Sequence, residues 1–425
     1  MAIKKIKISN FKSFKNLEIE LGKFNVLIGA NASGKSNFIQ IFKFLRDISN
    51  HGLDNAISMQ GGIEYLRNVN IGASEDLSIE VISDQKYISR MTRLKNEKKM
   101  LMMEVYETII KFVIKFNKDG HGYKIVDDKL IQKGEIIEED IIGFKNYKKE
   151  NKEKKKLGLG ELIISNVNGK IDVNFSKLPE DLQIEKDDIF PPFLRQEKLE
   201  PKSLIFESNP FFFRSYDFSD VSIYDFDPKL PKKATSLIGK LELEEDGGNL
   251  AIVLKNIMED DENTRKFSNL MKYLLPFVDS LDVKKHADRS LIFRLSEIYN
   301  KKQYIPAFFI SDGTINITAL IIGLYFEKKS LTIIEEPERN IHPHLIFKVA
   351  EMMKDASEKK QIIVTTHNPE MIKHIDLKNI LLVSRDKDGF SIISKPHEKE
   401  SVKIFLQNEL GIEELYVQNL LELEL

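Results

Sequence analysis

The 425-residue sequence contains no cysteine, which excludes disulfides and cysteine-based zinc sites and makes a reducing cytoplasm the expected compartment. It has no run approaching the roughly 18 apolar residues of a membrane span. Its opening, MAIKKIKISNF, alternates polar and apolar residues like a strand, with no apolar signal core. No membrane partnership is therefore expected unless another protein supplies it. Heptads of any length are also missing, so a long coiled-coil arm is not expected. Net charge is nearly absent: 64 Lys and Arg against 66 Asp and Glu leave −2, and any basic surface must be local. What is present is 42% hydrophobic and 31% charged, ordinary for a chain that buries a core. The length fits two or three domain-sized units, or one core carrying a large insertion.

The most informative stretch is FNVLIGANASGKSN, Phe24 to Asn37. Phe24 to Ile28 reads as a buried strand that breaks at Gly29 into a loop ending in Gly34, Lys35 and Ser36, the pattern GxxxxGK[ST]. Glycines let backbone N–H groups curl around an anion, Lys35 supplies a point charge to terminal phosphates, and Ser36 offers a hydroxyl to Mg²⁺. Phe38, Ile39, Ile41, Phe42 and Leu45 follow at helical spacing, so the loop opens a helix whose N-terminal N–H groups face the phosphates.

Around this stretch the chain is organised in blocks. Ile3 to Asn10 and Leu17 to Leu21 alternate as strands around NFKSFKN, where Lys12 and Ser13 either approach a nucleotide or sit in a solvated turn, the commoner use of such residues. AISMQGGIEYLRNVN, Ala56 to Asn70, carries Gln60 beside two glycines and then Arg67. A glutamine there can hold a metal or an attacking water and an arginine can reach a γ-phosphate, or both are turn and surface residues. From Leu77 to Asn174, short alternating segments with turn signals at Asp119-Gly120 and Asn168-Gly169 predict an inserted antiparallel β region. Met91 to Met103 reads as a short helix within it. The lysine-rich FKNYKKENKEKKK, Phe144 to Lys156, either neutralises nucleic-acid phosphates or forms a solvated loop. The aromatic loops PFFFR and YDFDPKLP read as satellite core, the commoner use of such loops, or as a partner surface. Asp246 to Met258 and a segment through Leu274 read as helices, and Asp282 to Ile298 as strand.

The C-terminal third holds the remaining chemistry. Ser311, Asp312 and Gly313 stand ahead of a long apolar helix, an N-terminus suited to an anion or simply a cap. Leu331 to Glu336, LTIIEE, is an apolar strand ending in two acids; beside a phosphate loop, Glu335 would be the metal-side acid and Glu336 the general base. QIIVTTH, Gln361 to His367, is another buried strand, and His367 at its end can meet the γ-phosphate and the catalytic acid. His342 and His344 flank Pro343, which breaks the helix that would align them on a metal; a helix start at Pro343 is expected instead. Ile380 to Ile393 reads as two strands and Val402 to Leu425 as one or two amphipathic helices, docked on their own domain or on another subunit.

Taken as an ordered set, GANASGKS, SDGT, LTIIEEPE with NIHPH, and IIVTTHNPE resemble the ATPase heads of the ABC superfamily, in the branch containing RecF, SMC proteins and the OLD family, many of them from anti-phage defence systems. The resemblance covers Met1 to Asn70 and Phe308 to Ile393. It implies an α/β fold, a P-loop NTPase head of ABC type whose mixed-sheet core carries an inserted antiparallel β subdomain and a helical lobe. On that reading residues 1–76 and 301–395 form the core, 77–300 the inserted lobe and 396–425 a helical tail. Gly29 to Ser36 would be the Walker A motif, with Gly29, Asn31, Ser33, Gly34, Lys35, Ser36 and Asn37 binding nucleotide. Glu335 and Glu336 would be Walker B, with Glu where many relatives have Asp. Ser311, Asp312 and Gly313 would contact the γ-phosphate of ATP held by the opposite subunit, Asn340 to Pro343 would be the D-loop, and His367 the switch histidine. Lys35, Glu336 and His367 would carry catalysis, with Ser36, Glu335 and Gln60 toward the metal.

The cofactors so implied are ATP and Mg²⁺, and the assembly a homodimer or higher oligomer that closes on ATP. The chain after His367 is too short for the Toprim nuclease domain of OLD proteins, and the insert is too short for SMC coiled coils. A stand-alone head acting through an effector protein, a nuclease or toxin in defence, is therefore expected. The alternatives are a RecF-like repair ATPase that binds DNA directly, a transporter's nucleotide-binding subunit, and a non-catalytic scaffold.

Overall fold

The computed structural model describes residues 3–93, 99–118, 122–140, 154–180, 182, 198–200, 202–208, 217–286, 289–408 and 410–422. They form two compact units, each assembled from separated pieces of chain: Met1–Leu21, Ser36–Asp220 and Arg385–Ile392 in the first, and Gly22–Lys35, Val221–Ser384 and Ile393–Leu425 in the second.

The first unit is built on an eight-stranded sheet in the order Phe14–Glu20, Ile3–Phe11, Leu77–Ser83, Lys99–Phe116, Tyr123–Asp140, Lys155–Val167, Lys170–Lys177, with Tyr87–Arg93 also paired to Lys99–Phe116. Its strands pair antiparallel throughout this order. Period-two alternation fixes which side chains are buried: along Leu77–Ser83 every second residue is inside, starting with Leu77. Asn168 and Gly169, at φ 53° and 82°, make the two-residue turn expected between the last two strands. The hairpin at the start of the chain is continuous with this sheet, because Ile8 stands opposite both Leu17 and Ile79. Where a helix is expected over Met91 to Met103, the described residues form none. Tyr87–Arg93 and Lys99–Phe116 are strands, and cross-strand pairing with Tyr123–Asp140 outweighs the helix propensity of the Met-rich segment. The Asp119-Gly120 turn, PFFFR and most of the lysine run lie outside the described residues; Lys154, Lys155 and Lys156 are exposed, and Lys156 pairs with Glu135 at 2.6 Å.

The second unit has a six-stranded sheet in the order Val221–Tyr224, Leu331–Glu335, Gln361–Thr365, Phe24–Ile28, Ile380–Arg385, Ser391–Ser394. Pairing is parallel from Val221–Tyr224 through to Ile380–Arg385. Phe24–Ile28 is buried at every position, as a strand between two parallel neighbours requires. A smaller antiparallel sheet pairs Ser290–Glu297 with Thr235–Ser236, Val278–His286 and Asn300–Pro306. The helices Leu250–Met258, Asp261–Leu274, Asp312–Tyr325 and Pro343–Ser357 lie where the apolar spacing put them and contribute to one hydrophobic core with the strands.

Candidate active site

In a parallel sheet the loops that follow the strands share one edge, so the carboxyl ends of Phe24–Ile28, Leu331–Glu335 and Gln361–Thr365 bring three sequence motifs together. After Ile28 the backbone turns through Gly29 at φ 153°, where an added Cβ would stand 2.2 Å from the Val383 carbonyl oxygen. Gly34 at φ 119° is a second position that only glycine adopts readily. Ser33 is buried, Asn31 and Ser36 are exposed, and Lys35 begins the helix Lys35–His51. The Lys35 ammonium donates to the carbonyls of Gly29 at 2.7 Å and Ala30 at 3.0 Å. Burial lowers it from its ordinary value against the pull of Glu336 and Glu335, so both acids lie within its field. The Gly29 carbonyl also accepts a hydrogen bond from the hydroxyl of Tyr416, at 3.1 Å, on the helix Ile412–Val417.

Glu335 ends its strand and Glu336 leaves it at φ 44°, with its N–H donated to the Thr365 carbonyl at 2.9 Å. One Glu336 oxygen lies 2.8 Å from His367 Nδ1; the other takes Arg339 at 3.0 Å, and Arg339 also reaches Asp225 at 2.9 Å. Burial works against the Glu336 charge, but Arg339 and His367 outweigh it and hold the carboxyl below its usual range. Two residues on, Glu338 is buried, accepts the Thr366 hydroxyl on one oxygen, and is raised by burial. The helix that follows begins at Pro343 as expected, and His342 serves as its N-cap.

The Ser-Asp-Gly segment engages the same turn. Ser311 caps the helix Asp312–Tyr325 through the Thr314 N–H at 3.2 Å, and Asp312 pairs with Lys232. A Cβ on Gly313 would stand 2.4 Å from the Asn340 carbonyl oxygen, and Asn316 donates to the Arg339 carbonyl at 2.7 Å. Helix and turn are therefore in backbone contact. Ser311 and Asp312 make these bonds with Thr314 and Lys232 rather than with the phosphate loop.

Asn37, Gln60 and Arg67 belong to the first unit and meet there. A cavity of about 500 Å³ is lined by these three together with Lys12, Ser13 and Arg385. Ser13 is buried and not solvated: its hydroxyl accepts from Asn37 and meets Ser391, both at 2.8 Å. Gln60 is buried at the end of the helix Leu53–Met59, its side-chain oxygen without a partner among the described residues. Sequence reasoning passed over Arg339, Glu338 and Tyr416, and took Ser13 more readily for a solvated turn residue. Arg339 alone left a signal, a cation three residues beyond the second acid.

A parallel sheet with a glycine loop, a lysine and two consecutive acids at its carboxyl edge is the arrangement of a P-loop ATPase. A family profile described as "AAA domain, putative AbiEii toxin, Type IV TA system" matches residues 24–373, most of the chain, and the protein belongs to that family. It is similar to a Helicobacter pylori protein named ATP/GTP phosphatase, 20% identical over 422 residues that cover 96% of this chain and 98% of that one. Among solved structures it is similar to an SMC head bound to the C-winged helix domain of ScpA, at 16% identity and TM-score 0.47 over 93% of this chain and 98% of that chain. The SMC head domain from Thermotoga maritima matches at 12% identity and TM-score 0.45, over 93% and 99%.

Proposed function

We propose that this ATPase works as a nucleotide-closed switch: two copies close head to head around ATP, and the closed state regulates a partner effector, a nuclease or toxin, in anti-phage defence. The observation that carries the reading is the carboxylate of Glu336, aligned by His367 and Arg339 at the strand edge that bears the phosphate loop. In this reading Glu336 accepts a proton from the attacking water, His367 orients it, and Lys35 swings from its loop carbonyls to the terminal phosphates. Gly29 to Ser36 cradle the phosphates, with Asn31 and Ser33 in the loop and Asn37 beyond it. Gly29 at φ 153° and Gly34 at φ 119° hold the loop in backbone conformations that only glycine adopts readily, as a tight cradle of backbone N–H groups requires. Hydroxyl and carboxylate oxygens are the hard set that suits Mg²⁺, and in this reading Ser36 and Glu335 would hold the ion, with Gln60 a further candidate. Magnesium, when bound, supplies charge neutralisation on the phosphates.

Ser311, Asp312 and Gly313 would face the nucleotide of the opposite copy. Immediately ahead of them Phe308 and Phe309 are 50% and 74% exposed with ring centroids 4.4 Å apart, an apolar surface suited to a second protein. The family's description speaks of a toxin system, which favours a toxin among the effectors. The relative's name makes GTP a nucleotide to assay beside ATP.

The test is native mass with and without ATP, using Glu336→Gln to trap the bound state, alongside phosphate release. Assembly on ATP with turnover in the unsubstituted protein supports the reading. Unchanged mass and absent turnover would overturn it.

A further inference from the structure

We infer that Tyr416 is a positioning residue of the phosphate loop and that the C-terminal helix carrying it responds to nucleotide. The inference rests on the reading of Lys35 as the lysine that meets the phosphates.

The Gly29 carbonyl receives two donors, the Lys35 ammonium at 2.7 Å and the Tyr416 hydroxyl at 3.1 Å. Gly29 is buried and its backbone is pressed against Val383, so the carbonyl has little freedom to find another donor. Lysine carries rotatable donors on a flexible stem, and turning toward a phosphate takes Lys35 away from Gly29 and Ala30. A buried carbonyl that loses its donor bears the full desolvation cost. Tyr416 removes that cost for Gly29. Its hydroxyl is redundant while Lys35 serves the carbonyl, and it counts when nucleotide has drawn Lys35 away.

The tyrosine is held firmly enough to do this. Leu415 beside it is fully buried, Ile412 nearly so, and the helix Ile412–Val417 packs on Pro369–Lys373, the short helix just beyond His367. The C-terminal helix thus bears on the phosphate loop at one point and on the segment after the switch histidine at another. Coupling of this kind is reciprocal: whatever factor Tyr416 adds to nucleotide affinity, nucleotide adds to the docking of the helix.

The experiment uses the full chain and Tyr416→Phe, which keeps the ring and removes only the hydroxyl. ATP affinity is expected to fall about three- to tenfold, the scale of one hydrogen bond, with turnover at saturating ATP little changed. In hydrogen exchange, ATP should slow residues 412–417 of the unsubstituted protein, and this gain should shrink in Tyr416→Phe; a merely structural tyrosine would leave it in place. If ATP gives the unsubstituted protein no added protection at 412–417, or if Tyr416→Phe binds ATP as tightly as the parent, the inference is wrong. Lys35→Ala separates the two readings. If it abolishes ATP binding while Tyr416→Phe changes nothing, only the role of Tyr416 fails; if ATP binding survives Lys35→Ala, the lysine reading fails and takes the inference with it.

Discussion

His367 Nδ1 lies 2.8 Å from one oxygen of Glu336, and Arg339 holds the other at 3.0 Å, so a single carboxylate is fixed between an imidazole and a permanent cation. An acceptor aligned on both sides suits a general base. Glu336→Gln keeps the shape and loses the proton acceptor. Phosphate release should fall by about 10²- to 10⁴-fold while nucleotide binding is kept, as measured by a fluorescent ATP analogue. Retained turnover would leave a nucleotide-binding scaffold as the better account.

Arg339 is expected to set the acid limb of the pH–rate profile. It favours the charged form of Glu336, so its removal raises the Glu336 carboxyl. The base is then protonated up to a higher pH, and in Arg339→Ala the acid limb should move upward. The check is kcat/KM across pH 4 to 8, and an unmoved limb would mean that Arg339 does not act on the group that titrates.

Gly313→Ala should lower both stability and turnover. The added Cβ meets the Asn340 carbonyl oxygen at 2.4 Å, and because the obstacle is backbone, helix and turn must part. Overpacking of this kind costs about 1–3 kcal/mol, readable as a lower thermal midpoint. A midpoint equal to the parent's would show that the turn yields freely.

The first unit should be most stable on the acid side of neutrality. Burial pushes the Asp128 carboxyl up to about 7, against the hydrogen bonds it accepts from the Ile205 N–H at 2.9 Å and from Asn166 at 3.3 Å. Glu207 is likewise raised by burial to about 7. Unfolded carboxyls titrate near 4, so between about pH 4 and 7 the folded state binds more protons and stability falls as pH rises. Asp128→Asn should flatten this slope and stabilise the protein at pH 8 relative to the parent. Urea melts at several pH values check it; a parallel slope in the variant would contradict the assignment.

Much of this was legible in the sequence for local reasons. Strand, loop and helix from Phe24 to His51 announce themselves because the apolar period changes on either side of a glycine loop. The helix start at Pro343 follows from the ring's fixed φ. What escaped depends on contacts across the chain. Ser13 looked like a turn residue because its partners Asn37 and Ser391 are remote in sequence. Met91 to Met103 looked helical because its composition permits a helix, whereas its eventual strand partner decides otherwise. Arg339 reaches Glu336 only because the backbone at Glu336 adopts φ 44°, which residue types alone do not reveal.

The placement of Phe24–Ile28 between Gln361–Thr365 and Ile380–Arg385 also governs when the protein can come alive on the ribosome. The strand that bears the phosphate loop is synthesised long before either of its neighbours. Such distant pairing is slow to form, and the early strand needs shelter while it waits. A nascent chain stopped anywhere before residue 361 would have the loop's sequence without its flanking strands. The phosphate loop therefore gains its flanking strands only from chain made long after it.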